Sequence, residues 1–199
     1  MSRYSLSFVV MVAATAVLVG CSAKVTTKEW VEEVQFDDGS MIRIQREVTF
    51  NETNALGGGA YNSVEQASTL KFTGDLAGLP AWSVPLLAHT LYRDAATMDW
   101  VVVAITSSCD VWHALGAPNP PYWEFRLGAT GWREVPLSSA SVGRRSNLLR
   151  RYQLELPSGL ISVAQKAQMD KDIKRLDQMT KPERMFRIVL GDTEQFICN

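Results

Sequence analysis

A mainly β domain with one amphipathic helix near its C-terminus is the fold class this chain predicts. The sheet is either a β-sandwich or an open, barrel-like antiparallel arrangement. Three observations carry it. Apolar and polar residues alternate in several short runs, turn residues separate those runs closely, and a helical period appears once, late in the chain.

The first pair of runs, EWVEEVQF and MIRIQREVTF, predicts a hairpin over 29–50. Trp30, Val34 and Phe36 share parity within the first run, and Ile42, Ile44, Val48 and Phe50 do so within the second. A two-residue turn at Asp38-Gly39 would set these groups on opposite faces, because a one-residue slip inverts every side chain. A three-residue loop, Asp37-Asp38-Gly39, pairs Val34 with Ile42 and keeps them together, with Gly39 left-handed. Residues 51–68 are polar and glycine-rich, and predict a flexible loop. Gly57-Gly58-Gly59 lacks the following Lys-Ser or Lys-Thr of a phosphate cradle.

Thr69 opens the next predicted strand, TLKFTG. PLLAHTLYRD and DWVVVAITSS are apolar on both parities, as in central strands covered on two faces, with Ala95–Met98 as the loop between them. His89 then reads as a hydrogen-bonded core residue. YWEFRLG and GWREVPL form another hairpin through Ala129-Thr130-Gly131, and LLRRYQLEL alternates as a further strand. Ser162 and Gln165 form a capping box before a helix over 163–179, whose Met169, Ile173 and Leu176 share a face and which stops before Pro182. RMFRIVLG predicts the last strand.

Ahead of this domain stands MSRYSLSFVVMVAATAVLVGCSAK. Arg3 precedes an apolar run from Leu6 to Val19, too short for a membrane span of about 20 residues. Its ending, Leu18-Val19-Gly20-Cys21, resembles the lipobox of bacterial lipoproteins. The resemblance implies cleavage before Cys21 and acylation of that cysteine, with Ser22 favouring the outer membrane on its periplasmic side. An uncleaved anchor with a chance cysteine is the alternative. The division is then 1–20 signal peptide, 21–28 lipidated polar tether and 29–199 a single globular domain.

Removing 1–20 takes away one basic residue and leaves 19 basic against 21 acidic, a net charge of −2. Such a balance argues against nucleic acid as a partner. With Cys21 lipidated, Cys109 and Cys198 remain as a pair in an oxidising compartment, and a disulfide is expected. The competing reading makes Cys109 a nucleophile and His113 its base, which the spacing alone does not support. Two histidines in the whole chain leave no basis for a zinc site, and no cofactor is expected.

Two clusters could bind. In the aromatic loop 109–132, Trp112, Tyr122 and Trp123 flank a proline-bearing segment and Trp132 is close behind, so a sugar could stack on them if they are not core. A cis bond at Pro120 or Pro121 is open. Arg144, Arg145, Arg150 and Arg151 could meet an anionic headgroup or an acidic partner, or form a solvated turn. There is no GxSxG elbow, HExxH or paired carboxylate. The runs KEWVEEVQFDDG, SSCDVW, PPYWEFRLG and GWREVPLS resemble a family of uncharacterised proteobacterial predicted lipoproteins across most of the mature chain. That resemblance implies a secreted, lipid-anchored domain and no particular catalysis. The expectation is an envelope lipoprotein, not an enzyme. It would act as a binding or structural module toward an envelope protein or cell-wall glycan, with its membrane contact through lipid. The alternative is a periplasmic hydrolase or carbohydrate-active domain using the aromatic stretch.

Overall fold

The computed structural model describes residues 24–53, 62–106, 109–150, 156–176 and 187–190. Among them the domain is mainly β, with two sheets face to face. One has the order β4-β3-β2-β1-β9 and the other β5-β6-β7-β8. The first contains β1 (Lys24–Gln35), β2 (Met41–Thr53), β3 (Asn62–Phe72), β4 (Trp82–Val84) and β9 (Leu160–Ile161). The second contains β5 (Leu87–Arg93), β6 (Trp100–Ile105), β7 (Tyr122–Gly128) and β8 (Gly131–Val135). Helices α1 (Cys109–Ala114) and α2 (Val163–Leu176) and a 3-10 turn at Gly74–Leu76 complete the described elements.

The β1–β2 register is the one that the three-residue loop requires. Val34 pairs with Ile42, Phe36 N–H donates to Ser40 O at 2.9 Å, and Gly39 takes a φ of +83°. The inner faces of the two sheets interlock in one core, in which Val34, Ile44 and Leu70 meet Leu91, Val102 and Phe125. The opposite face of β6 carries Val101 and Val103, which pack with Tyr92, Tyr122 and Ile188. Both parities of β6 are therefore covered, as its apolar run predicts. His89 is buried and its Nδ1 lies 2.8 Å from Thr90 Oγ1, the expected hydrogen-bonded core histidine.

Several expectations need correction. Residues 24–28 are not a tether: they open β1 and pair with Glu52 through Val48. The β-branched Val25, Thr26 and Thr27 suit a strand, and the hydroxyls of Thr27 and Thr49 meet at 3.0 Å. The 51–68 loop is also shorter than expected. β2 continues to Thr53 and β3 starts at Asn62, with Thr53 paired to Asn62, so ladder bonding outweighs polar composition; 54–61 lie outside the described residues. Gly131 belongs to β8 and pairs with Gly128, leaving a two-residue loop before it.

β5 is an edge strand rather than a central one. Its apolar character is explained by what covers the edge. Leu91 N–H donates to Asn147 Oδ1 at 2.9 Å, and Asn147 Nδ2 donates back to Leu91 O at 2.7 Å. One side-chain amide thus stands in for a neighbouring strand, satisfying groups that an open edge leaves unpaired. LLRRYQLEL is not a strand where it is described. Leu149 gives its N–H to Glu32 Oε2 and its carbonyl to Arg46, so side chains take the place of a ladder. Residues 151–155 lie outside the described set. In RMFRIVLG, Arg187 makes only an isolated bridge to Arg145, and 184–186 are outside the description.

The capping box forms as the sequence predicts. Gln165 N–H donates to Ser162 Oγ at 3.2 Å, and Ser162 N–H to Gln165 Oε1 at 2.8 Å. α2 then lays Met169 on the cluster of Trp30, Val48, Leu149 and Ile161. The side chains of Ile173 and Leu176 and residues 177–179 lie outside the description. No described helix is long and apolar enough to cross a membrane.

Candidate functional site

The aromatic stretch is built into the scaffold. Trp112, Tyr122 and Trp123 are buried. Tyr122 and Trp123 project to opposite faces of β7, Trp123 into the core between the sheets and Tyr122 into the cluster around Val101. Trp112 lies on α1, where a loop was expected, and donates from Nε1 to Pro118 O at 3.0 Å. Trp132 is half-buried, stacked with Phe72 at a centroid distance of 6.4 Å, and its Nε1 donates to Pro80 O at 2.9 Å. Sugar stacking needs an open ring face, so the proposed aromatic platform is corrected to a packing role. The cis bond falls at Asn119–Pro120.

Cys109 is the first residue of α1, four positions beyond the end of β6, rather than a continuation of that strand. The His113 ring lies beside Trp112, 4.8 Å between centroids. Cys21, Cys198 and Arg151 lie outside the described residues. Among the described residues, no group of three His, Cys, Asp or Glu side chains is placed to hold a metal ion.

The arginine cluster separates into different roles. Arg144 Nε donates to Ala140 O at 2.7 Å, its guanidinium sits 3.9 Å over the Tyr92 ring, and it pairs with Asp37. The Arg150 side chain is largely buried and pairs with Asp170 on α2. Arg145 is exposed and pairs with no carboxylate among the described residues.

Neither composition nor any motif reveals the network beneath these arginines. Glu32 and Arg46 stand at inward parity between apolar neighbours, Glu32 between Trp30 and Val34, Arg46 between Ile44 and Val48. Both are wholly buried and their side chains meet at 3.3 Å. Trp30 is directly opposite Arg46 in the ladder, so the guanidinium lies 5.1 Å over its ring. Lys166 of α2 enters the same site. Its Nζ donates to Glu32 Oε2 at 2.9 Å, to Glu33 O at 2.5 Å and to Asn147 O at 2.6 Å. Burial holds this ammonium below its ordinary range, with Glu32 pulling it back up. With all three protons of the charged amine engaged, Lys166 acts as a tie between α2, β1 and the 147–149 segment. The signal in sequence was a charged residue at a core parity position.

A second buried carboxylate, Glu124 on β7, accepts from Ser138 N at 2.8 Å, Ser141 Oγ at 2.7 Å and Arg126 Nε at 2.8 Å. Burial alone would push its carboxyl up; these bonds outweigh burial and hold it below the usual range. It pins 138–141 to the outer face of the second sheet.

Two clefts open around Arg144. One, about 340 Å³, lies between the end of β1, the 144–148 segment and α2, with Arg145, Lys166 and Asp170 on its walls. The other, about 550 Å³, is more apolar and is lined by Phe36, Ile42, Leu76, Met98 and Trp100. Phe36, Asp37, Tyr92 and Arg144 line both. Here exposed charge, apolar surface and concavity come together, the usual ingredients of a binding site. Comparison with protein-family models, with curated proteins and with solved structures finds no match for this chain.

Proposed function

We propose that the protein is an outer-membrane lipoprotein, held on the periplasmic side through acylated Cys21, whose β domain works by binding rather than by catalysis. Leu18-Val19-Gly20-Cys21 supports the anchor, since several acyl chains hold a protein on a bilayer without a spanning helix. The observation that carries the binding role is the paired cleft around Arg144. Its charged walls are tied to the scaffold: Lys166 to Glu32, Asp170 to Arg150, Arg144 to Ala140 and Tyr92. Groups locked in that way present a fixed surface for recognition. The ligand class at this level is an envelope protein, a cell-wall glycan or a small molecule of that compartment.

Two measurements test this reading. Cys21→Ser is expected to leave an unprocessed precursor of higher mass. Normal processing and membrane retention in that variant would overturn the anchor. Native pull-down from detergent-solubilised membranes, compared with an Arg145→Gln variant, is expected to show cleft-dependent capture. Turnover of peptidoglycan or another envelope substrate by the purified protein would instead establish an enzyme.

A further inference from the structure

The Arg144–Asp37 pair has two unequal halves. Arg144 is three-quarters buried and is held from two other sides, by the hydrogen bond to Ala140 O and by the Tyr92 ring. Asp37 sits at the tip of the β1–β2 hairpin and is 78 % exposed. Removing Asp37 would leave the guanidinium aimed as before. Asp37 is largely hydrated, so its carboxylate gives up little by leaving, and its contribution to the pair is small. The carboxylate at Arg144 is therefore exchangeable, while its receptor is preorganised.

The surroundings show what could replace it. On one side, Asp170 is already bound to Arg150 and Lys166 to Glu32, so Arg145 is the cation left without a carboxylate among the described residues of that cleft. On the other side is the apolar cleft, where Met98 is half-exposed and Phe36 and Trp100 lie 5.8 Å apart, centroid to centroid. Of its remaining charges, Asp94 is paired with Arg126, Asp38 and Arg93 offset each other, and Asp38 is turned back onto Ser40. Surplus positive charge thus lies at one end and apolar lining at the other.

We propose that this double cleft binds a single-chain carboxylate of the fatty-acid class. Its head group takes the place of Asp37 on Arg144, steered by Arg145, and its chain lies against Phe36, Ile42, Leu76, Met98 and Trp100. The assignment rests on the binding-module reading above and names the ligand of that same site. Burial of the alkyl chain supplies the affinity, at about 0.8 kcal/mol per CH₂, and the arginines select a charged head over a neutral one.

The test uses the full-length chain in lipid nanodiscs and dodecanoate carrying a terminal diazirine, photolysed over a concentration series, with labelled peptides identified by mass spectrometry. Labelling is expected in 36–42 and 94–100. Asp37→Asn removes the competing carboxylate and should lower the half-saturating concentration about two- to fivefold. Arg145→Gln should raise it by a similar factor, and Arg144→Gln by about tenfold or more. Asp37 and Arg145 are exposed, so their variants report on binding even if Arg144→Gln fails to fold. Equal labelling of these peptides by the corresponding diazirine alcohol would overturn the proposal, as would unchanged half-saturation in both Asp37→Asn and Arg145→Gln. Absence of labelling while a protein or glycan is still captured through the cleft overturns the fatty-acid assignment and keeps the module; absence of both overturns both.

Discussion

Lys166 Nζ lies 2.9 Å from Glu32 Oε2, joining residues 134 positions apart in a site where both side chains are buried. The same carboxylate also receives Arg46, Trp30 Nε1 at 3.2 Å and Leu149 N–H at 2.8 Å. Charges removed from water are tolerated only when paired and hydrogen-bonded. Glu32 is the single acceptor on which two cations, one strand and one irregular segment converge.

Removing that acceptor should therefore be costly. Glu32→Gln leaves Arg46 and Lys166 buried without their counter-charge and is expected to destabilise by about 3–5 kcal/mol in urea unfolding. Lys166→Met should cost less than half as much, because Arg46 and Leu149 N–H still face Glu32. Equal losses in the two variants would mean that Lys166 is as essential to the site as the carboxylate.

Acid should unfold the protein through Glu124 and Asp94, whose carboxyls are both held below their ordinary range. In Glu124 the bonds from Ser138, Ser141 and Arg126 outweigh burial; in Asp94 the Ala96 N–H contributes most, followed by Arg126. The unfolded chain takes up protons more readily than the folded one, so stability is fully present above the ordinary glutamate value of 4.5 and falls as pH drops through the depressed values. Urea midpoints across a pH series should show this loss, with a shallower slope in Glu124→Gln. An identical slope in that variant would assign the acid sensitivity to other carboxylates.

The capping box offers a smaller and more local effect. Ser162→Ala removes the acceptor for Gln165 N–H and should cost about 1 kcal/mol, with Ser162→Gly costing less. A loss confined to hydrogen exchange within α2 would show the cap acting on the helix alone; an unchanged Tm in Ser162→Ala would show that the first turn is held by Lys166.

Cys109 and Cys198 are expected to be linked. Arg187 O accepts from Tyr122 OH at 3.4 Å, and Tyr122 pairs with Ile105 at the end of β6 from which Cys109 is four residues away. Residues 187–190 thus pass the same end of the second sheet. Mass spectrometry of non-reduced protein should find the two cysteine peptides joined, and the two single serine variants should lose similar stability, each breaking the same bond. Free labelling of both thiols, fastest at Cys109, would favour a reactive cysteine paired with His113.

What was legible in the sequence is local. Parity and a glycine three residues past Phe36 determined the β1–β2 register, because Gly39 alone accepts the left-handed bend without strain and one slip would turn Val34 out of the core. Ser162 and Gln165 determined the start of α2 through bonds spanning three residues. The unbroken run of β6 required cover on both faces whatever supplied it. The tertiary structure decided what supplied it, and where the exceptions went. Trp123 and Tyr122 became core because β7 sits between two packed layers, a fact absent from their own neighbourhood. Leu149 gave up a ladder because Glu32 and Arg46 offered its backbone stronger partners. Alternation shows which side of a strand a residue faces. The choice of a distant partner depends on desolvated charge, whose energy is set by groups more than a hundred residues away.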